Sequence, residues 1–302
     1  MLAVTYPQYG DPAVLEVATV PEPHAGPGQV RIAVRAAGVN PMDWKIRAGY
    51  LRDMVPTTFP AIPGLEAAGV VDEVGEGVSD VAVGDEVFGT GRQTTAQFAV
   101  LDHFARKPAD LSWEQAGGLA VTAETAQRAL DLLGPTAGQT LLIEGAAGAV
   151  GSATAQFARA DGVTVVGTAG EANHPYLRSL GVLPTTYGPG LAERVAELAP
   201  GGVDAVLDTA GKGSLEDLVA IAGTPDHVLT IADFGAGRLG VRTTAEAQAF
   251  HALPRAARLV EEGKYAVRIA AVHPFTEAAE AHRLSQHGHA AGKIILRVPA
   301  TA

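Results

Sequence analysis

Apolar residues occur in short, uninterrupted runs through the middle of the chain. The runs are rich in leucine and β-branched residues, and segments with helical spacing separate them. A strand that is apolar on both faces is typical of a parallel sheet, and the helices between such strands are its right-handed crossovers. We therefore predict a doubly wound domain over residues 118–253. Its predicted strands include residues 140–144, 163–168, 203–208 and 227–231.

The first 117 residues follow a different pattern. Apolar and polar positions alternate over residues 29–35, 68–74 and 85–88, with Gly and Pro between these runs. Alternation is typical of strands with one buried face, so we predict an antiparallel or barrel-like β domain over residues 1–117. The pattern of residues 254–302 predicts a helix, a strand, a second helix and a final strand. We expect this segment to return to the β domain, which makes the middle domain an insertion.

The turn after the strand at residues 140–144 carries the strongest chemical signal. It reads Gly145-Ala-Ala-Gly148-Ala-Val-Gly151 and leads into a helix of small residues. Glycines in such a turn let the main chain approach a pyrophosphate, which binds to the free N–H groups and the positive dipole end of the helix. A dinucleotide is the natural ligand, although tight strand–helix packing alone gives a similar pattern. Ala147 stands where the common fingerprint has its middle glycine.

Composition narrows the possible chemistry. The 302-residue chain has a formal net charge of −11, which disfavours nucleic-acid binding. It has no cysteine, which excludes disulfides, thiolate nucleophiles and cysteine-ligated metals. We find no signal sequence, and no apolar stretch approaches the about 20 residues that span a bilayer. We therefore expect a cytoplasmic protein without a nucleic-acid or membrane partner.

Four stretches together resemble the medium-chain dehydrogenase/reductases. They are most similar to the zinc-free quinone oxidoreductase branch, which includes zeta-crystallin and enone reductases. The resemblance runs nearly end to end and implies an α/β fold: a GroES-like β-barrel domain with an inserted, doubly wound Rossmann domain that contains a parallel sheet. The four stretches are AGVNPMDWK at residues 37–45, PGLEAAGVV at 63–71, VGDEVFG at 83–89 and the glycine turn at 145–151.

The same resemblance implies a reaction without zinc. The zinc enzymes of the superfamily place Cys in the first stretch and His before Glu in the second, whereas Asn40 and Leu65 stand at or near those places here. The implied reaction passes a hydride from reduced nicotinamide to a quinone or to the β-carbon of an α,β-unsaturated carbonyl. Such acceptors spread charge over a conjugated system and need less metal assistance, so the cofactor carries the chemistry.

The resemblance also assigns roles to individual residues. It implies that Asn40 lies beside the nicotinamide and that Lys45 lies near its ribose, and these two are the candidate catalytic residues. Thr122 is expected to contact the amide or the ribose from the start of a helix, and Ile231 is expected to line the nicotinamide pocket. The pyrophosphate is expected on Ala146, Gly148, Ala149 and Val150.

Several of these residues also have an ordinary structural interpretation. Tyr50 and Phe59 fall in the loop where the family's acceptor pocket opens, and stacking on a quinone and plain core packing are equally compatible with them. Asn40 precedes a proline and suits a turn. Lys45 is compatible with an exposed helix charge in a local ion pair. We expect Glu66 to be buried and structural, because a carboxylate there needs a partner.

The histidines near the C-terminus form a separate cluster. His282, His287 and His289 lie on or just after a predicted helix. No cysteine or carboxylate accompanies them closely enough to complete a metal site. We therefore predict a solvated or capping role for the cluster.

Cofactor preference depends on the residues after the second strand of the inserted domain. NAD-using relatives end this strand with an acidic residue, and Thr168 stands there instead, which leaves room for a 2′-phosphate. With Thr168, Gly170 and Asn173 are expected to line the cofactor. The cation that NADP-using relatives place here is missing, and Glu171 would repel a phosphate. The resemblance favours NADPH, with NADH possible.

Two other functions stay open at this point. A dedicated enone or tailoring reductase, acting on one biosynthetic intermediate, would not reduce simple quinones. A non-catalytic NADP(H)-binding sensor or structural protein would bind the cofactor without turnover, since a fold does not by itself determine function. We expect a homodimer, formed through the edge strands of the nucleotide domains.

Overall fold

The computed structural model describes residues 1–233, 235–244, 247–288 and 290–299. His289 of the histidine cluster lies outside the described residues. The chain forms two compact units: the first comprises Met1–Val121, Leu253–Glu261 and the described residues from Val267 onward, and the second comprises Thr122–Ala252 and Glu262–Ala266. Among the described residues, no helix has both the length and the apolar character needed to cross a membrane.

Strands and helices have the following bounds. The strands are β1 (Leu2–Thr5), β2 (Glu16–Thr19), β3 (Val30–Val39), β4 (Glu66–Val74), β5 (Glu86–Gly91), β6 (Phe98–Arg106), β7 (Thr140–Glu144), β8 (Thr164–Thr168), β9 (Leu183–Thr185), β10 (Ala205–Asp208), β11 (Val228–Thr230), β12 (Arg242–Thr243), β13 (Ile269–Pro274) and β14 (Lys293–Arg297). The α-helices are α1 (Pro41–Arg47), α2 (Trp113–Gly117), α3 (Ala120–Leu133), α4 (Ala149–Ala160), α5 (His174–Ser179), α6 (Leu191–Leu198), α7 (Leu215–Ala222), α8 (Ala252–Glu261) and α9 (Ala278–His287).

The first unit is built around a sheet with the strand order β13-β14-β3-β4-β5-β6. β3 also pairs with β6, so the sheet closes on itself. The first half of β3 alternates between buried and half-buried residues, with Val30, Ile32 and Val34 facing the core, as the alternating sequence pattern predicts. β14 pairs antiparallel with β3, which brings the end of the chain into this sheet. β13 and β14 run parallel, a pairing that the antiparallel pattern of the sequence does not indicate.

The second unit contains a parallel sheet with the strand order β12-β11-β10-β7-β8-β9. Counted from β7, the order is 6-5-4-1-2-3, which is the arrangement of a dinucleotide-binding Rossmann fold. The strand order reverses between β7 and β10, and ligands of such sheets bind at the carboxyl ends of the strands near that reversal. The predicted α/β fold class, a GroES-like domain with a Rossmann-like parallel sheet, is confirmed.

Small residues let α4 approach the sheet of the second unit closely. Ser152, Ala153 and Ala155 of α4 are buried. A Cβ added at Gly167 of β8 would lie 2.6 Å from the Cβ of Ala146, so glycine is required where the turn crosses this strand. This close packing fixes the position of the α4 N-terminus relative to β7 and β8.

Candidate functional site

The turn between β7 and α4 is held in shape by its own backbone. Gly145 has φ of +78°, a left-handed conformation that suits glycine. A Cβ at Gly151 would lie 2.4 Å from the carbonyl oxygen of Gly145, so a side chain there would force the turn open. The N–H of Ala146 donates to the carbonyl of Thr168 at 3.0 Å, which fastens the turn to the end of β8.

The N-terminus of α4 presents free hydrogen-bond donors. Gly148 is the N-cap residue, and no side chain caps the helix. Among the described residues, none provides an acceptor for the N–H groups of Ala149, Val150 and Gly151. A Cβ at Gly148 would meet only the carbonyl oxygen of Gly145, at 3.3 Å, so space remains in front of the turn. Unpaired N–H groups and the helix dipole make this end a site for an anion such as a pyrophosphate.

The residues after β8 differ in their accessibility. Thr168 is fully buried, and its Oγ1 accepts a hydrogen bond from the N–H of Gly145 at 3.2 Å, so its hydroxyl supports the turn. Gly170 faces open space, because an added Cβ would have no neighbour within 4 Å. Glu171 is exposed and begins a short 3₁₀ turn that ends at Asn173.

Polar side chains gather at the carboxyl ends of β7, β10 and β11. Asp208 Oδ1 accepts from the N–H groups of Ala210 and Gly211, at 2.8 and 2.9 Å, and its Oδ2 accepts from Thr230 Oγ1 at 2.7 Å. Glu144 accepts a hydrogen bond from Ser214 Oγ, and burial raises the pKa of Glu144. These carboxylates fix the loops that border the turn. Ile231 follows β11, where its N–H donates to the carbonyl of Asp208 at 3.0 Å.

A buried polar cluster forms around Asn40 in the first unit. Asn40 Nδ2 donates to Glu66 Oε1 at 3.0 Å, and Lys293 Nζ donates to Asn40 Oδ1 at 2.5 Å. The ammonium of Lys293 also lies 2.5 Å from Glu66 Oε1. The second carboxylate oxygen of Glu66 accepts from the N–H of Val121 at 2.9 Å. Asn40, Glu66 and Lys293 are 5%, 0% and 3% exposed, so Glu66 is buried and partnered, in agreement with the structural role expected from the sequence.

Asp43 extends this cluster from the first turn of α1. Its Oδ2 accepts from the N–H of Asn40 at 2.7 Å, and its Oδ1 accepts from the N–H of Gly64 at 3.2 Å. Burial raises the pKa of Asp43 to about 7, against the effect of its two backbone donors and of the Lys293 charge. A carboxyl group with this pKa exchanges its proton near neutral pH.

The remaining candidates of the first unit lie on or after α1. Lys45 is half-buried, with its ammonium 5.8 Å from the centre of the Trp44 ring, and burial lowers the pKa of Lys45. Tyr50 is 69% exposed and meets the Trp44 ring edge-on. Phe59 is 36% exposed and packs edge-on against Tyr6 and Tyr9. Tyr50 is therefore available to a ligand, whereas Phe59 has a packing role as well as an exposed edge.

Thr122 lies in the first turn of α3, which begins at Ala120. It is 2% exposed. Thr122 belongs to the second unit, whereas Val121 belongs to the first. Thr122 therefore stands where the chain passes from one unit to the other.

Some members of these sites have no signal in the sequence. Lys293 lies 253 positions after Asn40, in a strand whose lysine would ordinarily be solvated. Ser214 precedes α7 and Asp208 ends β10, and neither belongs to a recognisable motif. Strand alternation does predict that Asp208 ends a strand near the turn, and this was the available signal for it.

His282 does not have the solvated or capping role predicted for the histidine cluster. It is 1% exposed, within α9. Burial, and then the charge of Arg47, lower the pKa of His282 to about 3. α9 packs against α1, which carries Arg47, and the spacing of histidines alone does not reveal this packing. The described residues contain no group of three or more His, Asp or Glu side chains that could hold a metal.

Two family models match the chain. The alcohol dehydrogenase GroES-like domain matches residues 26–128, and the zinc-binding dehydrogenase model matches residues 187–296. A quinone oxidoreductase homologue of the chloroplast envelope of Arabidopsis thaliana is 31% identical over 98% of this chain and 98% of its own length. A polyketide synthase system protein of Streptomyces orinoci, NorB, is 34% identical over 94% of this chain, which corresponds to 14% of that much longer protein.

Several solved structures are similar to nearly the whole chain. An NAD-dependent alcohol dehydrogenase superposes with a TM-score of 0.86 at 29% identity and covers 99% of this chain and 100% of its own. The CurK enoyl reductase gives 0.86 at 25% identity, covering 99% and 97%. A mycobacterial protein complexed with NADPH gives 0.83 at 25% identity, covering 98% and 100%.

The chain belongs to the medium-chain dehydrogenase/reductase superfamily, in its zinc-free quinone oxidoreductase branch. It is an oxidoreductase of that superfamily. The donor set around Asn40 does not suit a zinc ion, although one matching model is named for zinc binding. The ammonium of Lys293 lies within 2.5 Å of both Asn40 Oδ1 and Glu66 Oε1, and a second cation at these oxygens would be repelled.

Proposed function

We propose that this protein is an NADPH-dependent reductase that transfers a hydride to a quinone or an α,β-unsaturated carbonyl without zinc. The observation that carries the proposal is the Lys293 ammonium bonded to Asn40 and Glu66. Relatives with zinc use the metal to polarise a carbonyl. The ammonium of Lys293 does not take over that role, because Asn40 and Glu66 already bind it. An acceptor whose conjugated system delocalises charge is the substrate class that such a site serves.

The turn between β7 and α4 fits the pyrophosphate of a nicotinamide dinucleotide. Ala149 and Val150 would hold it through their free N–H groups at the α4 N-terminus, and Gly148 would leave open space for it. Ala146 would shape the turn beneath it, because the Ala146 N–H already donates to the carbonyl of Thr168. At the other end of the cofactor, Asn40, Lys45, Thr122 and Ile231 are the proposed neighbours of the nicotinamide and its ribose. When bound, reduced nicotinamide supplies the hydride, and these residues supply orientation and hydrogen bonds.

The end of β8 supports a preference for NADPH. Gly170 adds no side chain to the open space there, and Thr168 introduces no negative charge. Gly170 and Asn173 would accommodate a 2′-phosphate, while Thr168 would support the turn from below. Exposed Glu171 weakens the preference, because its carboxylate repels a phosphate that approaches it.

The acceptor would contact the segment after α1. Tyr50 is the proposed stacking surface, because 69% of it is exposed and the Trp44 ring supports it edge-on. Phe59 contributes its exposed edge to the same segment. A flat conjugated ring matches such aromatic surfaces in size and polarity.

Cofactor oxidation by the purified protein tests the proposal. NADPH and NADH are supplied in parallel, each with a simple quinone and with a simple enone, and the loss of reduced-nicotinamide absorbance is followed. We expect quinone-dependent oxidation, faster with NADPH than with NADH. Tight NADPH binding without turnover of either acceptor would contradict the proposal and favour a sensor role.

A specialised enone reductase is the second candidate, because the chain is similar to the CurK enoyl reductase and to a piece of a polyketide synthase system protein. The two candidates differ in acceptor range. Turnover of enoyl thioesters with no reduction of simple quinones would select the specialised reductase. The homodimer remains a prediction, which sedimentation of the purified protein tests.

A further inference from the structure

The contacts of Lys293 fix the orientation of the Asn40 carboxamide. Lysine has only donors, so Lys293 must bond to the carbonyl end of the amide, Oδ1, at 2.5 Å. A carboxylate has only acceptors, so Glu66 bonds to the amino end, Nδ2, at 3.0 Å. Exchange of the two ends would bring donor against donor and acceptor against acceptor.

Two glycines show that the fold makes room for this arrangement. A Cβ at Gly38 would lie 2.4 Å from Glu66 Oε1. A Cβ at Gly118 would lie 2.4 Å from Lys293 Cγ. A larger residue at either position would therefore displace the Glu66 carboxylate or the Lys293 side chain. The backbone of Asn40 is fixed as well, since its N–H donates to Asp43.

Lys293 and Glu66 also neutralise each other. A carboxylate that is 0% exposed requires a partner, and the ammonium at 2.5 Å supplies it. Loss of Lys293 would therefore have two separate effects: an unpaired buried charge and an unconstrained amide. The two effects can be measured apart, because one concerns stability and the other concerns chemistry.

We infer that Lys293 is a positioning residue for hydride transfer, because its ammonium holds the Asn40 carboxamide in the orientation that meets the nicotinamide. The inference rests on the proposed function. In this interpretation the ammonium of Lys293 acts on Asn40 and not on the substrate.

A double-mutant cycle tests the inference with NADPH and a quinone. Lys293→Met should lower kcat by about ten- to a hundredfold, the range expected for a misplaced group, and should leave the NADPH dissociation constant nearly unchanged. In the Asn40→Ala background the same substitution should leave kcat nearly unchanged, because the amide is already absent. The melting temperature should fall in both backgrounds, because Glu66 loses its partner in each.

A matched control is Lys107→Met. Lys107 forms an ion pair with Glu86 at 2.9 Å and contacts Trp113, within the same unit. Its loss should lower the melting temperature without lowering kcat. An equal fall of kcat on Lys293→Met in both backgrounds would overturn the inference, as would an unchanged kcat with a lowered melting temperature.

A double variant keeps the inference testable if Lys293→Met does not fold. Glu66→Gln combined with Lys293→Met leaves no unpaired buried charge, so the melting temperature should recover relative to Lys293→Met alone while kcat stays low. Recovery of both would overturn the inference. If the wild-type protein reduces neither quinones nor enones, the proposed function itself fails. If it reduces them and the Lys293 variants match it, only the positioning role fails.

Discussion

The turn between β7 and α4 and the cluster around Asn40 are built by opposite means. The turn uses backbone groups and small residues, and its free N–H groups carry no formal charge. The cluster uses buried side chains, two of which are charged and one of which has a pKa near neutrality. A backbone site depends on local conformation and is insensitive to pH, whereas a buried charge cluster depends on distant residues and responds to pH.

The largest effect is expected where a side chain disrupts the backbone site. In Gly151→Ala the new Cβ would lie 2.4 Å from the Gly145 carbonyl and 2.8 Å from Ala146 Cα, so the turn must shift. We expect the NADPH dissociation constant to rise by roughly a hundredfold, because a displacement of about 1 Å has consequences of that size. Overpacking should also lower the free energy of unfolding by about 1–3 kcal/mol. Titration by nicotinamide fluorescence and urea unfolding measure the two effects.

Gly201→Ala is the matched control for that variant. Gly201 belongs to the same unit, is exposed, and an added Cβ would meet nothing within 4 Å. The NADPH dissociation constant of Gly201→Ala should equal the wild-type value at every pH. Unchanged affinity in Gly151→Ala would contradict the backbone origin of the site.

The two regions also differ in how far the sequence predicts them. The determinants of the turn lie within about 30 residues, so strand, glycine spacing and helix are visible together, and the parallel sheet follows from the same pattern. The cluster joins Asn40 to Lys293 across 253 positions, and only the pairing of β14 with β3 brings them together. The edge strands β9 and β12 were not predicted, because Pro184 interrupts the first and the second contains only Arg242 and Thr243.

An intermediate effect is expected from Asp43. The pKa of this carboxyl is about 7 in the folded protein and near the ordinary aspartate value when unfolded, so the folded state binds more protons between about pH 4 and 7. Stability should therefore fall as pH rises through this window, by up to about 1.4 kcal/mol for each pH unit from this group. Asp43→Asn should remove that slope. Urea unfolding of both proteins at several pH values measures it.

The dependence of the unfolding free energy on pH is compared between the wild-type protein and Asp43→Asn at constant ionic strength. The substituted carboxamide would keep only one oxygen acceptor for the N–H groups of Asn40 and Gly64, so the variant is expected to be less stable than the wild-type protein at low pH. The difference between the proteins should shrink as pH rises. Parallel curves would show that Asp43 does not titrate in this range and would weaken the contrast with the uncharged turn.

The smallest effect is expected at Glu171, where charge borders the backbone site. Its carboxylate is exposed beside the open space at Gly170, so repulsion of a 2′-phosphate is screened by water and salt. Glu171→Gln should lower the NADPH dissociation constant by about two- to fivefold, the size of an exposed charge interaction, and should leave the NADH value unchanged. The gain should shrink with added salt. Glu197→Gln, an exposed change of the same net charge on α6, controls for the overall field of the protein. An equal gain for NADH, or for the Glu197 variant, would show that Glu171 does not face the phosphate and that the backbone alone determines cofactor preference.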